Sequence, residues 1–315
     1  MSQNCNMNVR CLLDNCFAHM SFKPLSNLLL SSLAVLLLAT FSPSNIQSEE
    51  PPNIAILKAQ SDKGDPAAQF ALGLAYASGN GVPRDPIRAA ELYRVAAEKG
   101  NIKAMNNLGS LYIDGVGVER DEVKGADWYR KAADAGSPLA QDNLGSLYLA
   151  GHGVSKDARE AAKWFQKAAG QDFLNAEIHL GKLYYFGEAD LPKDYQQARR
   201  WLEKAAGHGS AWAGNTLGLM YQEGFGVKQD MKKAFDLYQN AAQHGDAKAQ
   251  SNLGFMYYNG FGVEKDLVSA YKWLTISGNQ GEITAVKMRL EVEDRMKPEQ
   301  IEEAQRQADE FKSSE

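Results

Sequence analysis

Residues 104–136 read A-M-N-N-L-G-S-L-Y-I-D-G-V-G-V-E-R-D-E-V-K-G-A-D-W-Y-R-K-A-A-D-A-G, from Ala104 to Gly136. Its Leu-Gly pair recurs as Leu72-Gly73, Leu108-Gly109, Leu144-Gly145, Leu180-Gly181, Leu217-Gly218 and Leu253-Gly254, at steps of 36, 36, 36, 37 and 36 residues. A fixed period of this length calls for stacked copies of one supersecondary unit, because a single unit cannot bury its apolar face alone. Four residues before each Leu stands Ala: Ala68, Ala104, Ala140, Ala176, Ala213 and Ala249. Four after it stands Tyr: Tyr76, Tyr112, Tyr148, Tyr184, Tyr221 and Tyr257. Residues spaced by four share one helix face, so each copy opens with a helix A that buries an Ala-Leu-Tyr stripe.

A glycine-rich turn follows, as in Gly115-Val116-Gly117-Val118 and Gly151-His152-Gly153-Val154. The fourth copy departs, with Gly187-Glu188-Ala189-Asp190-Leu191-Pro192 absorbing the extra residue. Each turn ends in an aspartate (Asp85, Asp121, Asp157, Asp194, Asp230, Asp266) suited to cap a second helix B. Helix B sets a small residue three before a large one, as in Gly125 and Trp128, then carries Ala-Ala in five copies. It closes mostly on glycine: Gly100, Gly136, Gly209, Gly245 and Gly281.

The pattern A-x3-L-G-x2-Y-x2-G-x-G-V-x2-D-x3-A-x2-W-x3-A-A resembles the Sel-one-like repeat (SLR) family, a subclass of tetratricopeptide-type helical repeats. The resemblance covers residues 65–281 in six copies: 65–100, 101–136, 137–172, 173–209, 210–245 and 246–281. It implies an all-α protein, an α/α solenoid wound as a right-handed superhelix, that serves as a protein-interaction scaffold. Residues 45–64 read as a linker and an N-terminal capping helix over Asn53–Asp62, and residues 282–315 as C-terminal capping helices.

Residues 1–44 read as a leader. Lys23 precedes an apolar run of 12 residues, Leu28–Ala39, and small residues around Ser42 and Ser44 follow. That is the layout of a secretory signal peptide, with Met20 as an alternative start. The run falls short of the ~20 residues of a membrane span, so membrane attachment is expected only if the leader stays uncleaved. All three cysteines (Cys5, Cys11, Cys16) lie in the leader, leaving the remainder without disulfides or cysteine ligands. Losing Arg10 and Lys23 with Asp14 moves the net charge from −5 to −6, which disfavours nucleic acid as a partner. A periplasmic or secreted monomer is expected.

No catalytic constellation, metal site or cofactor motif emerges. His208 and His244 share a slot near the end of helix B and read as helix-terminal residues. The Gly-x-Gly turns lack the preceding strand of a phosphate loop, and the aspartates sit in cap slots. Function is therefore assigned to the exposed face of helix A, which in related repeats lines the concave groove. There the sequence places Asn107, Asn143, His179, Thr216 and Asn252 one before the Leu, with Lys182, Leu219 and Phe255 two after it and Phe186 six after it. Amides offer a peptide backbone both donor and acceptor; equally, they could tie adjacent copies together. The apolar members favour partner binding. The expected partner is a protein or peptide held in the groove, without enzymatic activity. The alternatives are a cell-envelope factor binding peptidoglycan or glycan-processing enzymes, a secreted host-directed effector and a β-lactamase-like hydrolase. The last lacks a supported Ser-x-x-Lys.

Overall fold

The computed structural model describes residues 53–311, so the leader 1–44 and the first part of the linker lie outside the described residues. Among the described residues there are fifteen α-helices and no strand. The first, α1 (Ile54–Asp62), is capped by Asn53, whose Oδ1 accepts from the Ile56 amide. Six A–B pairs follow: α2 (Pro66–Ser78) and α3 (Pro86–Glu98), α4 (Ile102–Asp114) and α5 (Glu122–Asp134), α6 (Pro138–Ala150) and α7 (Ala158–Ala169), α8 (Leu174–Phe186) and α9 (Tyr195–Gly207), α10 (Ala211–Glu223) and α11 (Met231–Gln243), α12 (Ala247–Asn259) and α13 (Leu267–Asn279). Two helices close the chain, α14 (Ile283–Glu293) and α15 (Pro298–Asp309). The described residues form two compact units, 53–101 with 110–121 and 102–109 with 122–311. No helix among them is long and apolar enough to cross a membrane.

Local chemistry sets the helix limits. Asp85, Asp157, Asp194, Asp230 and Asp266 each accept amide hydrogen bonds at the start of a B helix, filling donors that a helix leaves unpaired in its first turn. The A helices stop where Gly79, Gly151, Gly224 and Gly260 turn left-handed. In the third copy the left-handed position closing helix B falls to Asp172, at φ 58°, where other copies use glycine. Aspartate tolerates this region better than most residues, and Lys204 holds its carboxylate at 2.9 Å.

The Ala and Leu slots are buried in all six copies, whereas the Tyr slot is fully buried only at Tyr76 and Tyr221. The half-buried tyrosines keep their hydroxyls near helix B: Arg130 donates to Tyr148 at 2.9 Å and Gln166 to Tyr184 at 3.2 Å. The deepest plug of each B helix is the residue after the large slot read from the sequence. Tyr93, Tyr129, Phe165, Leu202, Tyr238 and Leu274 press on the glycines of the Leu-Gly pairs so closely that a Cβ there would meet them at 2.6 to 2.9 Å. Glycine stands beside each Leu because helix B approaches until its side chain rests on the backbone of helix A.

The fourth-copy turn replaces glycine packing with polar contacts. Glu188 and Leu191 exchange backbone hydrogen bonds, and the Asp190 carboxylate accepts from the Ala158 amide at 2.9 Å. The insertion thus gives α7 a second N-terminal acceptor from the following copy.

Candidate functional site

The A helices present one face away from the B helices. On a 3.6-residue helix the slots one before, two after and six after each Leu fall within a narrow arc. The slot five before Leu shares that arc and was missing from the sequence reading; it holds Leu139, Asn175, Trp212 and Lys248 in the last four copies. The helical angle alone would have found it.

Three of the polar candidates bond to the adjacent copy. Asn143 Nδ2 donates to Asn106 Oδ1 at 3.0 Å, and Asn252 Nδ2 to Asn215 Oδ1 at 2.9 Å. His179 Nδ1 lies 2.8 Å from Oδ1 of the buried Asp142. Each bond joins the slot one before Leu to the slot two before Leu in the preceding copy. In the fifth copy that earlier slot is the apolar Ile178, and Thr216 donates instead to the Trp212 carbonyl at 2.9 Å. Asn107 is half-buried on the same face. Because Asn106 and Asn215 are buried, losing a partner leaves a buried amide unpaired. Asn143→Ala and Asn252→Ala should therefore each cost about 1–2 kcal/mol in urea unfolding; an unchanged midpoint would show that these bonds do not tie the copies.

The remaining candidates are apolar or cationic. Phe186 is 41% exposed beside Tyr185, with ring centres 5.0 Å apart. Phe225, the middle residue of the fifth turn, stacks on Tyr195 at 5.2 Å, and Phe261 of the sixth turn meets Phe255 at 5.8 Å. Leu219, like Trp212 and Phe225, packs against the buried core of the fourth and fifth copies. Lys182 sets its ammonium 4.9 Å from the centre of the Trp212 ring. Lys182, Phe186, Trp212, Leu219 and Phe225 thus form an aromatic and aliphatic group on α8, α10 and the fifth turn, and Phe255 with Phe261 a second one on α12 and the sixth turn.

A second polar cluster lies under α9. In three copies a glutamine one after the Ala slot donates to a carbonyl ending the previous helix, Gln69 to Ser61 of α1 at 3.3 Å, Gln141 to Ala133 at 3.0 Å and Gln250 to Ala242 at 3.1 Å. The fourth copy has Glu177, which cannot donate. Lys204 takes over, bonding the equivalent Ala169 carbonyl at 2.8 Å and pairing with Glu177 at 3.0 Å. His208 Nδ1 completes the group at 2.8 Å from Glu177, so the histidine read as a helix-terminal residue is also the partner of a fully buried carboxylate. Asp172, Glu177 and His208 bring three ligand-type atoms within 4.8 Å. The Lys204 ammonium already stands between the carboxylates and supplies the cation; its hydrogen bond is the main cause lowering the Asp172 pKa and raising its own.

The Sel1 repeat model matches residues 66–101, 102–137, 138–173, 174–210, 216–246 and 247–282. The chain belongs to the Sel1 repeat family. Among solved structures, this Sel1 repeat chain is similar to a Sel1 repeat protein from Oxalobacter formigenes, with 34% identity and a TM-score of 0.59, covering 82% of this chain and 97% of that one. It is also similar to c5321, a protective antigen of uropathogenic Escherichia coli with an SLR fold, at 27% identity, TM-score 0.35 and coverage of 82% and 71%. Immunity protein Pa5087 of Pseudomonas aeruginosa matches at 25% identity, TM-score 0.38 and coverage of 72% and 81%. No curated protein matches the chain. Sel1 repeat proteins generally mediate protein–protein interaction and are typically non-catalytic scaffolds.

Proposed function

We propose that this Sel1 repeat protein is an exported, non-catalytic scaffold that binds a protein or peptide along the open face of its A helices. The observation that carries this reading is the strip of partly exposed apolar side chains on copies four to six, above all Phe186, Leu219, Phe255 and Phe261. A globular chain gains by burying such groups, and apolar groups left at the surface on successive copies mark a partner site. The face is built on helices packed on both sides, so binding demands little ordering of the scaffold. Export rests on the leader pattern at residues 1–44, and recovery of the chain outside the cytoplasm with a new N-terminus near Asn45 is its expected result.

Lys182, Phe186, Leu219 and Phe255 are assigned to direct partner contact. Asn107, Asn143, His179 and Asn252 border the contact, and three of them also hold the copies together. Thr216, assigned to the groove from its slot, is buried with its hydroxyl on the Trp212 carbonyl of its own helix and lies beneath that face. Replacing Phe186, Leu219 and Phe255 together by Ala should reduce captured partner at least tenfold in affinity capture from whole cells, an effect of about 1.4 kcal/mol or more. The helical circular dichroism signal should persist. Full partner recovery by the folded triple variant would refute binding at this face. Recovery of glycan fragments in place of protein would favour the envelope-factor reading.

A further inference from the structure

We propose that the face formed by α8 and α10 recognises an acidic side chain, Asp or Glu, lying next to a large apolar side chain in an extended peptide. This rests on the scaffold reading above and names the chemistry of its partner. Lys182 carries the argument. Its ammonium lies over the Trp212 indole at 4.9 Å, so one side of the cation is covered by a ring. Water reaches the side chain, yet enough protein surrounds it that burial lowers its pKa. No carboxylate offsets that burial.

Among the described residues no carboxylate pairs with Lys182. Asp142 faces His179 at 2.8 Å. Glu223 lies eleven residues beyond Trp212, about 16 Å along the helix axis. An exposed ammonium held over a ring, flanked by apolar side chains and without a carboxylate partner, is stabilised most by an incoming anion. The apolar half of the recognition comes from the same surface. Phe186 lies one turn from Lys182 on α8, and Leu219 occupies the Lys182 slot of α10. Apolar side chains continue past Lys182 in both directions, to Leu139 on α6 and Phe255 on α12. A peptide following them passes the ammonium in mid-chain, so the carboxylate comes from a side chain and not from a C-terminus.

The folded pKa of Lys182 lies below the unfolded value, so between the two the unfolded chain binds more protons and stability rises with pH. Removing the charge should therefore leave the free chain as stable or more stable, while a residue kept for packing would destabilise it.

The test is selection of a random dodecapeptide phage library on the full chain, followed by binding of the enriched peptides, made with amidated C-termini, to Lys182→Met and to Phe186→Ala/Leu219→Ala variants. The expected result is enrichment of Asp or Glu beside Phe, Leu, Trp or Tyr. Lys182→Met, or Asp→Asn and Glu→Gln changes in the peptide, should weaken binding at least tenfold with Tm unchanged or raised. Enriched peptides that lack an acid, or that bind Lys182→Met equally but lose affinity for the Phe186→Ala/Leu219→Ala variant, would overturn the acidic recognition and leave the scaffold face standing. Peptides that need a free C-terminal carboxylate would overturn the side-chain assignment. No enrichment, or peptides indifferent to every variant, would overturn both readings.

Discussion

Gly153→Ala should lower the melting temperature by about 5 °C, the shift expected for roughly 3 kcal/mol in a chain of this size. Gly153 sits at φ +68° in the third turn, and a Cβ there would overlap the Glu122 carbonyl oxygen and crowd the Val123 amide. The left-handed backbone costs an alanine about 1–2 kcal/mol, and forcing atoms into a packed contact costs about 1–3 more. The colliding atoms are backbone, so no side-chain rotation relieves them. Gly117 against Pro86 and Gly262 against Met231 repeat the geometry. Gly136→Ala is the matching control: it is also left-handed, at φ 93°, but nothing lies within 4 Å of its would-be Cβ. It should show only the smaller conformational cost. Equal shifts for the two variants would mean that the Gly153 contact contributes nothing.

Tyr238→Ala should cost about 3–5 kcal/mol, the range for deleting a buried aromatic ring. Tyr238 is fully buried, lies against Gly218, and directs its hydroxyl to Gln222 Oε1 at 3.1 Å. Tyr238→Phe keeps the ring and loses that bond, so about 1 kcal/mol is expected for it. In a stacked array each copy leans on its immediate neighbours. Hydrogen exchange in Tyr238→Ala should therefore accelerate most in α10–α13, with α6 and α7 less affected. Uniform acceleration along the chain would instead show that the array unfolds as one block.

These expectations separate what could be read from the chain and what could not. The Ala and Leu slots, the aspartate caps and the glycine stops follow from one helix and its ends, and they recur often enough for a single period to expose them. The plug beside each glycine did not stand out, because its identity varies among Tyr, Phe and Leu and the more conspicuous tryptophan precedes it. Its role depends on how closely two helices approach. The Asn143–Asn106 and Asn252–Asn215 bonds were similarly hidden: both residues of each pair were visible, but the register between copies decides that they meet. Glu177 required more still. A carboxylate in a glutamine slot has meaning only once Lys204 is seen taking the glutamine's hydrogen bond to Ala169. Trp212 was within reach, since its slot follows from the same helical angle that selected Lys182, Phe186 and Leu219.

The most direct test of partner binding at the A-helix face is site-specific photo-crosslinking in cells. Benzoylphenylalanine would replace Phe186 in one variant and Glu203, exposed on the B helix α9, in another. A discrete crosslinked protein is expected from position 186 and none from position 203. Crosslinking from 203 alone, or the same products at equal yield from both positions, would contradict partner binding at the A-helix face.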